Sequence, residues 1–186
     1  EHPVTVTNFR GIYNDHISSH ILGMMLSFAK HFHLYRDQQN RREWQPLSGP
    51  GYNEIFLPES TLLIVGAGGI GIETARVCKA IGMRVIATDA RRTEPCEWLD
   101  ELHPTDALDD LLPLADFVVT TIPHTPESEG MFDARVFGLM KRSAIFINIG
   151  RGMTTRLDDL NAALRGGVIA GAGLDVYEIE PLPTSH

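Results

Sequence analysis

Cysteine is scarce in this chain, tryptophan equally so, and no apolar run approaches the length of a membrane span. Cys78 and Cys96 have no second cysteine or histidine at the short spacing of a zinc site or redox pair, which excludes a disulfide framework and leaves reduced, cytoplasmic thiols as the expectation. The ~20 consecutive apolar residues of a transmembrane helix are missing, and the N-terminus lacks the basic, apolar, small-residue order of a signal peptide, so a soluble protein is expected. Positive charge is also in short supply. Sixteen Lys and Arg face 24 Asp and Glu, and this balance excludes the electrostatic footprint of a nucleic-acid or anionic-membrane binder. No metal site is expected either: His16 and His20 stand four apart, but the residue after His16 is Ile17 rather than the Glu of a zinc-protease helix.

What is present suffices for one full core, since 186 residues at 43% hydrophobic leave little room for a second domain of similar size. Val4 to Thr7 alternates as a short strand would, with Gly11 as the following turn. From Ile17 to Tyr35 the apolar residues Ile17, Ile21, Leu22, Met25, Phe28, Ala29 and Phe32 recur at three- and four-residue steps, predicting one amphipathic helix with Asn14 or Asp15 as its cap. Its apolar stripe suits a dimer surface or a buried core face. Arg36 to Pro58 is polar and aperiodic, the end of a helix unwinding into a connection.

Beyond it strands and helices alternate. Strands are expected at Thr61–Val65, Arg84–Thr88, Asp116–Thr121, Ser143–Asn148 and Val168–Leu174. Helices are expected at Ile70–Ile81, Glu97–Leu102, Leu108–Leu114, Ala134–Met140 and Thr155–Leu164, the last stopped by Gly166 and Gly167. Such alternation predicts an α/β fold, a doubly wound parallel sheet in three α/β/α layers.

Gly66-Ala67-Gly68-Gly69-Ile70-Gly71 matches G-x-G-x-x-G where the pattern has meaning, between a strand and its helix. Gly66 permits a tight turn, Gly68 lets backbone approach a pyrophosphate, and Gly71 lets helix and strand pack closely, while the helix N-terminus offers its free amides. Asp89 ends the next strand, where a carboxylate can accept hydrogen bonds from the adenosine ribose. This predicts a Rossmann site, with Asp89 disfavouring a 2′-phosphate and so favouring NAD over NADP; Arg91 and Arg92 partly offset that repulsion.

The glycine loop, INIGRG at 147–152 and AGLDVYEIEPLP at 172–183 together resemble the D-isomer-specific 2-hydroxyacid dehydrogenases. TTIPHTPESEGMFD and TNFRGIYNDHISSHILGMML also look like segments of that family, so the resemblance covers nearly the whole chain. It implies a NAD-binding domain over 8–180, including the leading interdomain helix, with 1–7 and 181–186 as remnants leading to a substrate domain. It implies Arg151 and Glu180 as catalytic groups. Gly66, Gly68, Gly69, Ile70, Gly71, Asp89, Ile122, Pro123, Asn148, Ile149, Gly150 and Asp175 are implied around the cofactor. A guanidinium at Arg151 can hold a 2-oxo-acid carboxylate by paired hydrogen bonds and polarise the adjacent carbonyl. A carboxylate at Glu180 would raise the pKa of a partner histidine that donates the proton.

That histidine belongs to a proline-histidine phrase beyond the E-P motif, and His186 stands where the family has a linker. Ser19 also departs from the family, which commonly has Glu there, ahead of the histidine matched by His20. Starting at Glu1 rather than Met, the chain is expected to be processed or cut from something longer, short at both ends. The implied activity is hydride transfer between NAD(H) and a small 2-oxo or 2-hydroxy acid, in a homodimer, the present chain binding dinucleotide with little or no turnover. A dinucleotide-sensing corepressor is the alternative. A methyltransferase leaves INIGRG and the E-P phrase without a role.

Overall fold

The computed structural model describes residues 3–5, 7, 9, 11–48 and 54–185. Four short apolar stretches, the mostly polar tripeptide Glu101–His103 and one glycine-rich stretch pair into a sheet whose ladders are all parallel. These are β1 (Thr61–Val65), β2 (Arg84–Thr88), β3 (Glu101–His103), β4 (Phe117–Thr120), β5 (Ile145–Asn148) and β6 (Gly171–Leu174), in the order β3-β2-β1-β4-β5-β6. Every residue of β1, β4 and β5 is buried, because helices cover both faces of a parallel sheet.

Alternation along these strands divides the apolar side chains between two cores. Leu62, Ile64, Val85, Ala87, Phe117, Val119, Ile145 and Ile147 face α1 (Asn14–Ala29) and α3 (Gly69–Ala80). On the opposite face Leu63, Ile86, Val118 and Phe146 meet α4 (Leu108–Leu111), α5 (Ala134–Leu139) and α6 (Leu157–Arg165). There Phe146 packs on Phe132 and Phe137 at centroid separations of 4.8 and 5.3 Å. The expected three-layer, doubly wound architecture is thus the observed one.

Helix α1 lies between α3 and β6. Ile21, Met25 and Ala29 are fully buried, and Met25 Sδ is 4.0 Å from Cys78 Sγ. Burial there pushes the Cys78 thiol up to about 12, so it stays protonated at neutral pH. Along its other edge, His20, Met24 and Phe28 follow at four-residue steps beside β6. A Cβ on Gly171 would meet Phe28 Cε1 at 2.7 Å, and one on Gly173 would meet Met24 Sδ at 2.9 Å. The small residues of β6 therefore exist to receive α1, whose periodic stripe is a core face.

Five expectations change. Val4, Thr5 and Thr7 form no strand, and Val6 lies outside the described residues. The helix expected over Ile17–Tyr35 is two, α1 and α2 (Phe32–Arg41), because His31 takes a left-handed φ of 55° and turns the chain. Neither Asn14 nor Asp15 caps α1: Tyr13 precedes it with no side-chain cap, and the Ser18 and Ser19 hydroxyls donate to Asp15 O instead. The helix expected at Glu97–Leu102 is replaced by turns and β3, where pairing of Glu101–His103 with Ile86–Thr88 outweighs helical propensity. The last strand also starts later, at Gly171 rather than Val168.

Carboxylates tie down the amino ends of the inner strands. Asp116 accepts from Thr61 N at 2.8 Å and from Lys141 Nζ at 2.7 Å, while Asp100 accepts from Val85 N at 2.8 Å. Burial would raise the Asp100 carboxyl, but hydrogen bonds from Lys79 and the Val85 amide hold it below its ordinary value. Its contribution to stability is therefore complete above the ordinary carboxylate pKa and is lost as pH falls through the lowered one.

Candidate functional site

The strand order reverses between β1 and β4, and ligands of open parallel sheets bind beyond the carboxyl ends of the strands at such a point. Gly66 leaves β1 with φ +103°, and its carbonyl accepts from Thr121 Oγ1 at 2.7 Å, which fastens the loop to the end of β4. A Cβ on Gly71 would stand 2.2 Å from that same carbonyl oxygen, so α3 can start this close to the loop only without a side chain. Gly68 is different. No atom lies within 4 Å of its would-be Cβ, and it is exposed.

Gly68 precedes α3 with no side-chain cap, leaving the first-turn amides of Gly69, Ile70 and Gly71 without a capping partner. At the same edge Thr88 and Thr120, the last residues of β2 and β4, carry buried hydroxyls with no hydrogen-bond partner among the described residues. Open space over Gly68, uncapped amides and orphaned hydroxyls fit an anionic dinucleotide.

Asp89 follows β2 at this edge, half-buried, and its Oδ1 accepts from the amides of Arg91 and Arg92 at 2.8 Å each. That turn brings Arg92 back over the loop, where its Nε donates to Ala67 O at 3.0 Å. Ile122 lies against the loop, its Cγ2 2.8 Å from the Gly66 Cβ position, and Pro123 is exposed beside it.

The next loop is built around Asn148. This side chain is fully buried, its Nδ2 donating to Thr155 Oγ1 at 3.0 Å and Arg151 O at 3.2 Å, while Gly150 N donates to its Oδ1 at 2.9 Å. Its carboxamide shapes the turn and faces no open cleft. Ile149 is buried, and a Cβ on Gly150 would approach Ile122 O to 2.5 Å, so the 149–150 backbone packs directly on the 121–122 backbone. Out of this turn Arg151 projects, exposed, with Nη1 donating to Gly150 O at 2.7 Å.

The segment after β6 completes the edge. Asp175 is exposed, and its Oδ1 stands 3.5 Å from His20 Nε2 of α1. Glu180 is exposed and its Oε1 accepts from Tyr177 N at 2.9 Å, whereas Glu178 accepts from Leu157 N at 2.8 Å at the start of α6. Among the described residues Glu180 pairs with no histidine. His103 and His124 pair with Glu101 and Glu129 at 2.9 and 3.3 Å, and His186 lies outside the described residues. No group of side chains fit to hold a metal occurs among those residues.

Sequence reasoning did not foresee Thr121 as the tether of the loop, His20 beside Asp175, or Asn14 against Gly69. Each is a contact between elements far apart in the chain. Only the wider T-T-I-P phrase hinted at the first.

Known proteins are similar to this chain in sequence and in fold. Glyoxylate reductase/hydroxypyruvate reductase of Homo sapiens is 40% identical over 143 residues, 77% of this chain and 43% of that protein. Glyoxylate/hydroxypyruvate reductase B of Salmonella agona is 37% identical over 172 residues, 92% of this chain and 53% of that protein. A solved D-isomer specific 2-hydroxyacid dehydrogenase family protein from Aeromonas salmonicida superposes with a TM-score of 0.89 at 38% identity, covering 100% of this chain and 58% of that one. The NADPH-dependent glyoxylate/hydroxypyruvate reductase of Sinorhizobium meliloti, solved with NADP and sulfate, superposes at 0.83 with 30% identity, over 97% of this chain and 56% of that one. The chain thus spans about half the length of the curated relatives it matches. With its residues 22–186 matching the family model described as "D-isomer specific 2-hydroxyacid dehydrogenase, NAD binding domain", the chain belongs to the D-isomer-specific 2-hydroxyacid dehydrogenase family.

Proposed function

We propose that this chain is the cofactor-binding part of an oxidoreductase that interconverts a 2-oxo acid and a D-2-hydroxy acid, with residues 8–180 as the dinucleotide-binding unit and 1–7 and 181–186 leading toward a substrate domain. The observation that carries the reading is the open backbone at Gly68, ahead of an uncapped helix and beside Asp89. Gly66, Gly69, Ile70, Gly71, Ile122 and Pro123 frame the pyrophosphate, while Asn148, Ile149 and Gly150 hold the turn beneath the nicotinamide ring and Asp175 flanks it. Bound nicotinamide supplies the hydride.

Arg151 spends one guanidinium nitrogen on Gly150 O, and its remaining donors hold the substrate carboxylate and polarise the carbonyl beside it. Glu180 keeps one carboxylate oxygen on Tyr177 N and turns the other to a histidine from a segment outside these 186 residues, which it holds protonated for transfer to the carbonyl oxygen. Two unpaired cysteines accord with a cytoplasmic setting.

NAD is preferred to NADP, because Asp89 offers a negative charge where a 2′-phosphate would sit. Titration of the 186-residue chain should show NADH bound roughly tenfold more tightly than NADPH, with Asp89→Ala narrowing the gap. Turnover of hydroxypyruvate or glyoxylate should stay at background. Absence of NADH binding, or multiple turnovers by this chain, would sink the reading.

A homodimer belongs to the same proposal, and its surface lies off α1. Exposed Phe32, Tyr35 and Trp44 line an open groove with Arg36, Arg42 and Glu43, so that apolar surface and both charge signs lie side by side in a patch that can complement a second copy of itself. Sedimentation velocity should find a dimer that Trp44→Glu dissociates; a monomeric parent chain would refute it.

A further inference from the structure

Gly66 and Gly69 are both walled in by side chains from outside the strand–loop–helix unit, Gly66 by Thr121 and Ile122 and Gly69 by a residue of α1. Asn14 Nδ2 and Oδ1 lie 2.8 and 3.1 Å from the point where a Cβ on Gly69 would be. The carboxamide of Asn14 thus occupies the place that residue 69 leaves vacant. Helices α1 and α3 run side by side in the same direction, Asn14 against Gly69 at their starts and Met25 against Cys78 toward their ends. Both N-termini accordingly stand at the carboxyl edge of the sheet, where Gly68 opens to solvent.

Asn14 is half-buried, yet its side chain makes no hydrogen bond with any described residue. A carboxamide held against backbone without a partner is unfavourable unless something else satisfies it. The adjacent Asp15 does not, since it turns its carboxylate to His16 N.

We propose that Asn14 is a side-chain ligand of the dinucleotide's pyrophosphate, delivering its Nδ2 donor to the position where Gly69 has no side chain. The inference rests on the dinucleotide-binding reading above and adds a residue that the glycine fingerprint does not contain. A neutral donor at this place complements the backbone amides of the first turn of α3 and forms a charge-assisted hydrogen bond to a phosphate oxygen. It also explains why residue 69 is glycine: any side chain there would displace Asn14.

The test uses the 186-residue chain and its Asn14→Ala and Asn14→Asp variants, titrated with NADH and then with ADP-ribose and adenosine as displacing ligands. Asn14→Ala should weaken NADH and ADP-ribose about tenfold while leaving adenosine, which has no phosphate, unaffected. Asn14→Asp, nearly isosteric and so a safeguard against misfolding, should weaken both further, and added salt should shrink its excess loss by screening. Parental affinity for NADH in both variants would overturn the assignment and leave the dinucleotide reading standing, as would equal losses for adenosine and ADP-ribose, which mark a merely structural contact. A parent chain that binds no dinucleotide would remove both.

Discussion

Gly71→Ala is expected to abolish measurable dinucleotide binding and to destabilise the chain by about 1–3 kcal/mol, the cost of forcing a methyl group into filled space. The new Cβ would lie 2.2 Å from Gly66 O and 3.1 Å from Ile64 Cγ2, and the first of these is backbone that cannot rotate away. Relief requires α3 to retreat from the loop, which moves its first-turn amides off the anion. Losing even two charge-assisted hydrogen bonds corresponds to about a hundredfold or more in affinity. Gly68→Ala supplies the contrast, since no atom lies within 4 Å of its Cβ position. That variant should melt like the parent and still bind NADH poorly, because the methyl group fills space reserved for ligand. If Gly71→Ala binds NADH as the parent does, the close approach of helix and loop has no part in recognition.

Gly152→Ala should disrupt the other half of the site. Here the Cβ would come within 1.9 Å of the Tyr177 carbonyl carbon and oxygen and 2.6 Å of Glu178 N, so the 151–152 turn and the 177–178 backbone must separate. That contact holds Arg151 and Glu180, the two groups assigned to the chemistry, in one relative position. A destabilisation of about 1–3 kcal/mol is expected, again from overpacking. Chymotryptic cleavage after Tyr177 should accelerate strongly, while NADH affinity falls less than in Gly71→Ala because the glycine loop is untouched. Parental melting together with parental cleavage would show that the two segments are not braced against each other.

These two glycines illustrate how unevenly the site could be read in advance. Gly71 belongs to a fingerprint whose reason is local: a strand, a tight turn and a helix start within a few residues of one another, so spacing alone announces the contact. Gly152 meets Tyr177, far along the chain, and no local pattern announces that. Arg151 was visible as a residue, but the support beneath it was not.

The same division runs through the fold. Continuous apolar stretches separated by amphipathic ones determined a parallel sheet covered on both faces, because such strands have no wet side to alternate toward. The glycine loop, Asp89 and the INIGRG and E-P phrases determined the family, which the match over residues 22–186 establishes. Tertiary structure decided what local preference could not. It placed β3 where a helix was expected, since an exposed sheet edge supplied partners for Glu101–His103. It broke the leading helix at His31 and laid α1 into the channel formed by α3 and the small residues of β6, turning a possible dimer surface into core. It also set Asn14 over Gly69 and His20 beside Asp175, because side chains distant in sequence meet only after the helices have packed.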